Sequence, residues 1–209
     1  RADQEAPAAA AAAGGSSSSS AAPPASEAGA LPVRCLQRLT RELRKVEEQR
    51  QQMLDSQGVD IRLSDESGDD LRAWTLRVLA SGVDAQSELG RQLKAAGAEA
   101  IEFEVWIPNA FPTEPPRVRV LAPEFLPGSF FVQQHGALCL EILTNQGWSP
   151  AMSFLQLGVQ VKSMMSAGQG RIAGAGPMGE PGPSGRERAW ATARRIESVH
   201  TDWQVFSTT

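Results

Sequence analysis

The chain has 209 residues, a formal net charge of −4 and a hydrophobic fraction of 41%, which suits one domain with a tail and a core of ordinary size. The acidic balance argues against nucleic acid as the main partner, because neutralising phosphates takes a basic surface. No apolar run reaches the ~18 residues of a membrane-spanning helix, so no membrane partner is expected. The opening residues do not read as a signal peptide, since Asp3 and Glu5 interrupt the positive start.

Residues 1–30 combine an alanine run, Gly14-Gly15, five consecutive serines and Pro23-Pro24. Such a stretch lacks the apolar side chains that offset ordering entropy, and it is expected to be a disordered low-complexity leader. Residues 31–209 are expected to form the core domain. It opens with an amphipathic helix of roughly 20 residues, in which Val33, Leu36, Leu39, Leu43, Val46, Met53 and Leu54 mostly recur at steps of three or four. Pro32 falls in a tolerated first-turn position and Gly58 ends the helix. Cys35 lies beside the apolar stripe and reads as a small, partly buried side chain.

Ile61-Arg62-Leu63 reads as a short strand and residues 64–70 as an acidic turn. Residues 71–78 alternate as a half-buried strand. Residues 82–97 have mixed polarity with a helical turn at 87–95. Residues 100–107 form the next strand, with Ile101, Phe103, Val105 and Ile107 on one face, and residues 118–121 another. Strands in succession with short connections suggest an antiparallel meander. Residues 154–165 are apolar enough for a largely buried helix. Residues 167–185, rich in Gly and Pro, read as a flexible connection, and residues 186–199 resume a helical pattern. The whole predicts an α+β domain.

Two cysteines and two histidines make neither a metal-ligand spacing nor a disulfide framework. That usage suits a reducing compartment, cytoplasmic or nuclear. Cys139 sits in Gly136-Ala137-Leu138-Cys139-Leu140-Glu141-Ile142-Leu143. A lone cysteine in an apolar run is usually structural, and reactivity needs an exposed position or a partner that lowers its pKa. His135, four residues upstream, fixes no geometry by itself. Glu141 reads as a solvated loop carboxylate.

The order of motifs decides more than any one of them. Ile107-Pro108-Asn109-Ala110-Phe111-Pro112-Thr113-Glu114-Pro115-Pro116 leads into a strand, the Cys139 run follows, and Gly147-Trp148-Ser149-Pro150-Ala151 precedes the buried helix. Over residues 33–171 this order resembles the ubiquitin-conjugating enzymes. The resemblance implies their fold: an N-terminal helix, a four-stranded antiparallel meander, an active-site loop and C-terminal helices. Two departures stand out. The His-Pro-Asn that most of the family carries before the cysteine is absent, which, with the insertion at 84–97, is similar to the Q-type branch. Thr113 stands where many members have an exposed phenylalanine.

The activity the resemblance implies is a thioester relay: Cys139 accepts ubiquitin from an activating enzyme and passes it to an amine, usually with a ligase. No metal or cofactor is needed, because the incoming acyl group is already activated. A donor for the carbonyl oxygen is still required, and the candidates are backbone N–H groups near Cys139, or Asn145, Gln134 or His135. Candidate ligase contacts are Phe111, Pro112, Thr113, Ser149, Pro150 and Ala151. Trp148 reads as a loop anchor, with Ser149 capping the helix that follows and Pro150 in its first turn. Two other readings stay open: a binding module that keeps the fold without the transfer, and an unrelated cysteine hydrolase with His135 as base.

Overall fold

The computed structural model describes residues 30–64, 70–129, 131–167, 170–180 and 182–206, with side chains to residue 196. All but one residue of the expected leader, and most of the acidic turn, lie outside this set. Helix α1 runs from Val33–Gln57. Pro32 is extended at its N-cap, where a missing N–H costs nothing, and Gly58 closes it in the left-handed conformation. The buried stripe is Cys35, Leu39, Glu42 and Val46, at spacings of four, three and four. Cys35 is fully buried rather than partly so.

Strands β1 (Val59–Leu63), β2 (Ala73–Leu79), β3 (Ala100–Trp106) and β4 (Arg117–Ala122) form one antiparallel sheet in the order of the chain. The register sets Trp74 opposite Val105 and Phe103 opposite Val120. The inner face therefore carries Trp74, Leu76, Val78, Ile101, Phe103, Val105, Val118 and Val120, all buried. Helix α1 and helix α3 (Phe154–Ala167) pack on the inner side, and Trp74 meets Phe154 edge-on at 4.8 Å between ring centroids. Between β2 and β3, the expected helical turn is a full helix, α2 (Glu88–Ala96), capped by the Ser87 hydroxyl, which accepts from Gly90 N–H at 3.0 Å.

The C-terminal third is more ordered than its composition suggests. The stretch expected to be a flexible connection carries strand β6 (Ile172–Gly174), which pairs with β5 (Glu124–Phe125). Met178 is buried, its N–H donating to Leu121 O at 2.6 Å. Helix α4 spans Gly182–Phe206 and starts four residues earlier than the helical pattern indicates. It packs on the outer face of the sheet at β3 and β4, with Ala189 fully buried and Trp190 6.0 Å from Trp106. No helix among the described residues is long and apolar enough to cross a membrane.

Candidate active site

After β5 the chain turns at residues 126–129, where Ser129 N–H donates to Leu126 O at 3.1 Å, and Gly128 N–H reaches Val132 O at 2.9 Å. The 3₁₀ turn at Gln134–Gly136 reverses the chain, with Gln133 N–H donating to Ala137 O at 2.9 Å. His135 sits at φ 60° and Gly136 at φ 80°. A Cβ on Gly136 would stand 2.3 Å from Val120 O, so only glycine lets the turn close this tightly against β4. The outgoing segment is then held on two sides. Leu138 N–H donates to Val118 O at 3.2 Å and Cys139 N–H to Phe131 O at 2.8 Å. Ala137 and Leu138 are buried, whereas Cys139 is partly exposed.

The two cysteines thus differ in accessibility. Cys35 is buried, and burial pushes its thiol above the ordinary value, with Arg72 opposing. The exposed position belongs to Cys139.

Beyond Cys139 the chain makes a single 3₁₀ turn at Glu141–Leu143, and Glu141 is exposed. The Thr144 hydroxyl donates to Glu141 O at 2.7 Å and accepts from Gly147 N–H at 3.1 Å. Trp148 is buried, and its indole N–H donates to Pro112 O at 2.8 Å. This bond ties the proline-rich turn to the Trp-Ser-Pro-Ala loop. Of the candidate ligase contacts, Thr113, Ser149, Pro150 and Ala151 are exposed and Pro112 is half-buried. Phe111 is not on that surface. It is 1% exposed, with its ring 5.7 Å from Phe154 and 6.1 Å from Trp148.

The helix after this loop does not start at Ser149. Met152 N–H donates to Ser149 O at 2.9 Å, which closes a turn. The helix begins at Phe154, where Ser153 and Gln156 form a reciprocal capping box: Ser153 N–H donates to Gln156 Oε1 at 2.9 Å and Gln156 N–H to Ser153 Oγ at 3.3 Å. A third orphan donor, Phe154 N–H, is satisfied by Glu42 Oε2 at 2.8 Å. Glu42 is 1% exposed and ion-paired with Arg38 at 2.9 Å. Arg38 donates in turn to Pro150 O at 2.8 Å and Met152 O at 2.7 Å. This clamp from α1 escaped the sequence reading, although a glutamate on the apolar stripe of α1 was its visible sign.

A groove of about 280 Å³ lies beside the segment leading to Cys139. Ala137, Leu138, Leu143, Asn145, Pro115 and Pro116 line it together with Trp190 and Arg194 of α4. Of the three side chains considered as oxyanion donors, Asn145 lines this groove, whereas Gln134 and His135 belong to the 3₁₀ turn and do not line it.

Residues 97–173 match the family model described as ubiquitin-conjugating enzyme. The chain is 32% identical over 142 residues to the Q-like protein 1 of the ubiquitin-conjugating enzymes of Homo sapiens, covering 68% of this chain and 83% of the relative. The Mus musculus protein of the same name is 34% identical over 118 residues, covering 56% and 71% respectively. A Q-like ubiquitin-conjugating enzyme protein of Drosophila melanogaster is 35% identical over 105 residues, but the chain spans only 33% of its length. The solved structure of human ubiquitin-conjugating enzyme E2 G1 overlays with a TM-score of 0.49 at 19% identity, over 66% of this chain and 98% of that one. On the strength of these sequence relatives, the chain belongs to the ubiquitin-conjugating enzyme family, in its Q-like branch.

Proposed function

We propose that the chain carries ubiquitin as a thioester on Cys139. The observation that carries this reading is the position of Cys139: a partly exposed thiol at the end of a segment whose preceding residues are buried and hydrogen-bonded on both sides. In charging, the Cys139 thiolate attacks the thioester carbonyl held on the activating enzyme, the new C–S bond forms, and the activating enzyme's thiolate leaves. In discharge, an acceptor amine attacks the same carbonyl, loses its proton, and expels the Cys139 thiolate. Neither step uses a metal or a cofactor. Membership of this family also displaces the reading as an unrelated cysteine hydrolase with His135 as base.

Negative charge builds on the carbonyl oxygen in both steps. The Leu138 and Cys139 amides are already donating to Val118 O and Phe131 O; of the side chains considered, Asn145 is the one that lines the groove together with Ala137 and Leu138, and we assign this work to it. Ligases would dock on Pro112, Thr113 and Ser149 to Ala151, the surface that the Trp148–Pro112 bond assembles. A reducing cytoplasmic or nuclear setting is consistent with two cysteines that form no disulfide.

The test is a charging reaction with activating enzyme, ATP and ubiquitin, resolved on a non-reducing gel. The expected result is a thiol-sensitive adduct about one ubiquitin heavier, retained in Cys35→Ser. Cys139→Ser should give no thiol-sensitive adduct. Absence of the adduct from the folded wild-type chain would instead favour a binding module that keeps the fold without the transfer, a reading supported by the missing His-Pro-Asn.

A further inference from the structure

The outer face of the sheet carries a partly buried cluster of charge that thioester chemistry does not call for. Arg119 is 1% exposed; its Nε donates to Glu104 Oε2 at 2.6 Å and its terminal nitrogens to Glu180 O at 3.1 Å and Gly182 O at 3.3 Å. Arg186, in the first turns of α4, approaches the same carboxylate from the other side, with Nε 3.0 Å from Glu104 Oε1. Its guanidinium stacks on Trp106 at 3.8 Å and lies 5.7 Å from Trp190. Arg117 covers Trp190 at 4.9 Å. Gly185 is required by this closeness: a Cβ there would stand 2.6 Å from an Arg119 nitrogen and collide with Glu180 O. Two cations around one carboxylate are thus balanced by two indole faces and two carbonyl dipoles.

The cluster adjoins the active segment along two routes. Arg119 is itself the backbone partner of Ala137, two residues before Cys139. Helix α4 and the strap before it also pack on the reversing turn: α4 contacts Gln134–Gly136, and Gly179 lies against the backbone of His135. The turn 134–136 that leads into the Cys139 segment is therefore held between β4 on one side and a C-terminal element on the other, and the Arg119–Glu104–Arg186 triad ties the two together.

We propose that α4 is a positioning element for Cys139, and that Arg186 is the positioning residue through which it holds the active segment in register. The inference rests on the thioester reading for its catalytic consequence, but its structural half is tested separately. Removing Arg186 leaves Glu104 paired with Arg119, so the carboxylate keeps a cationic partner while α4 loses its own bond to the sheet. Trp190→Ala loosens the same helix without removing a charged group, taking away only the ring that Arg117 and Arg186 face.

Hydrogen exchange on the full chain tests this first. In Arg186→Ala and Trp190→Ala, the peptide holding the Leu138 and Cys139 amides should exchange about tenfold faster, while peptides from β1 and β2 stay at the wild-type rate. Arg186→Lys, which restores the charge without the planar fork, should fall between. Unchanged exchange at 138–139, or a rise shared equally by the whole sheet, would overturn the proposal. The charging reaction supplies the second arm. Arg186→Ala should lower kcat about tenfold with little change in KM for the charged activating enzyme, because the lesion misplaces the nucleophile and leaves α1 and the loops of the opposite side intact. Equal kcat in wild type and variant would overturn the positioning role. A wild-type chain that forms no adduct would sink the thioester reading instead, and the exchange result would still decide whether the clamp orders the segment.

Discussion

Two glutamates, the buried Glu42 and the partly buried Glu104, hold the two flanks of the active segment, and they are balanced differently. Glu42 is matched by one guanidinium and one helix N–H, and Arg38 spends its other donors on the carbonyls of Pro150 and Met152. That clamp closes with one charge of each sign, and it fixes the loop after Cys139. Glu104 is shared by Arg119 and Arg186, so its cluster carries an excess cation. That clamp fixes the helix behind the segment before Cys139. A neutral clamp relies mostly on hydrogen bonds, each worth ~1 kcal/mol net. A charged one relies on the carboxylate itself, and its loss leaves like charges facing each other in a low-dielectric site.

The largest effect should therefore come from Glu104→Gln. It strands two guanidiniums with side chains only 2% and 16% exposed, and a cost of ~3–5 kcal/mol is expected at pH 7. Urea unfolding measures it directly. A cost below ~1 kcal/mol would mean that the indole faces and carbonyls already neutralise the cluster.

The same contrast predicts a pH dependence. Burial alone would raise the Glu104 carboxyl, but the Arg186 and Arg119 guanidiniums outweigh it and hold the group below its ordinary value of 4.5. A carboxyl depressed in the folded state contributes stability that is fully present above its unfolded pKa and is lost as pH falls through the folded value. The gap in unfolding free energy between wild type and Glu104→Gln should thus be constant near neutrality, begin to shrink below about pH 4.5 and keep shrinking at lower pH. A gap that widened on acidification would reverse the assigned sign.

Glu42→Gln sharpens the comparison from the other side. The amide oxygen can still accept from Phe154 N–H, and Arg38 keeps its two carbonyls, so the loss should be ~1–3 kcal/mol. If it equals the loss in Glu104→Gln, the distinction between a neutral and a charged clamp fails.

These clamps mark the boundary of what the sequence discloses. Strand β3 was legible because Ile101, Phe103, Val105 and Ile107 alternate, and alternation is what one buried face of a sheet demands. Helix α1 was legible for the same reason at the helical period, as was the Cys139 region through the ordered motifs around it. Residues 172–182 were not. Their Gly and Pro content signals breaks in regular structure, yet the segment is held by β5 pairing, by Met178 N–H on Leu121 O and by the two carbonyls that Arg119 takes. All three partners are distant in sequence and none imposes a period. Phe111 was misplaced for a related reason: a phenylalanine in a proline-rich turn carries no pattern that tells a core ring from an exposed one. The stretch 154–165 was legible as a buried helix, but its cap was assigned to Ser149: Ser149-Pro150 and Ser153-x-x-Gln156 are both plausible caps, and only the second pairs each partner with the other's backbone N–H.

Trp148 gives the smallest and most local test. Its indole N–H is the hydrogen bond by which the loop after Cys139 reaches Pro112, and its ring also packs on Phe111 at 6.1 Å. Trp148→Phe keeps an aromatic ring against Phe111 and removes the donor. Pro112 is half-buried, so its carbonyl can recover a water and the cost should be only ~1 kcal/mol, read from the denaturation midpoint. The functional consequence should exceed the thermodynamic one. The bond aligns Thr113 with Ser149 and Pro150, and the proposed ligase surface needs both loops in place at once. Ligase-dependent discharge should therefore fall more steeply than ligase-free discharge to a small amine, since Cys139 is held through its backbone by Phe131, and its neighbour Leu138 by Val118, without help from Trp148. Equal losses in the two reactions would mean that the Trp148 bond supports the thioester site itself, and would move the division between the two flanks to the other side of Cys139.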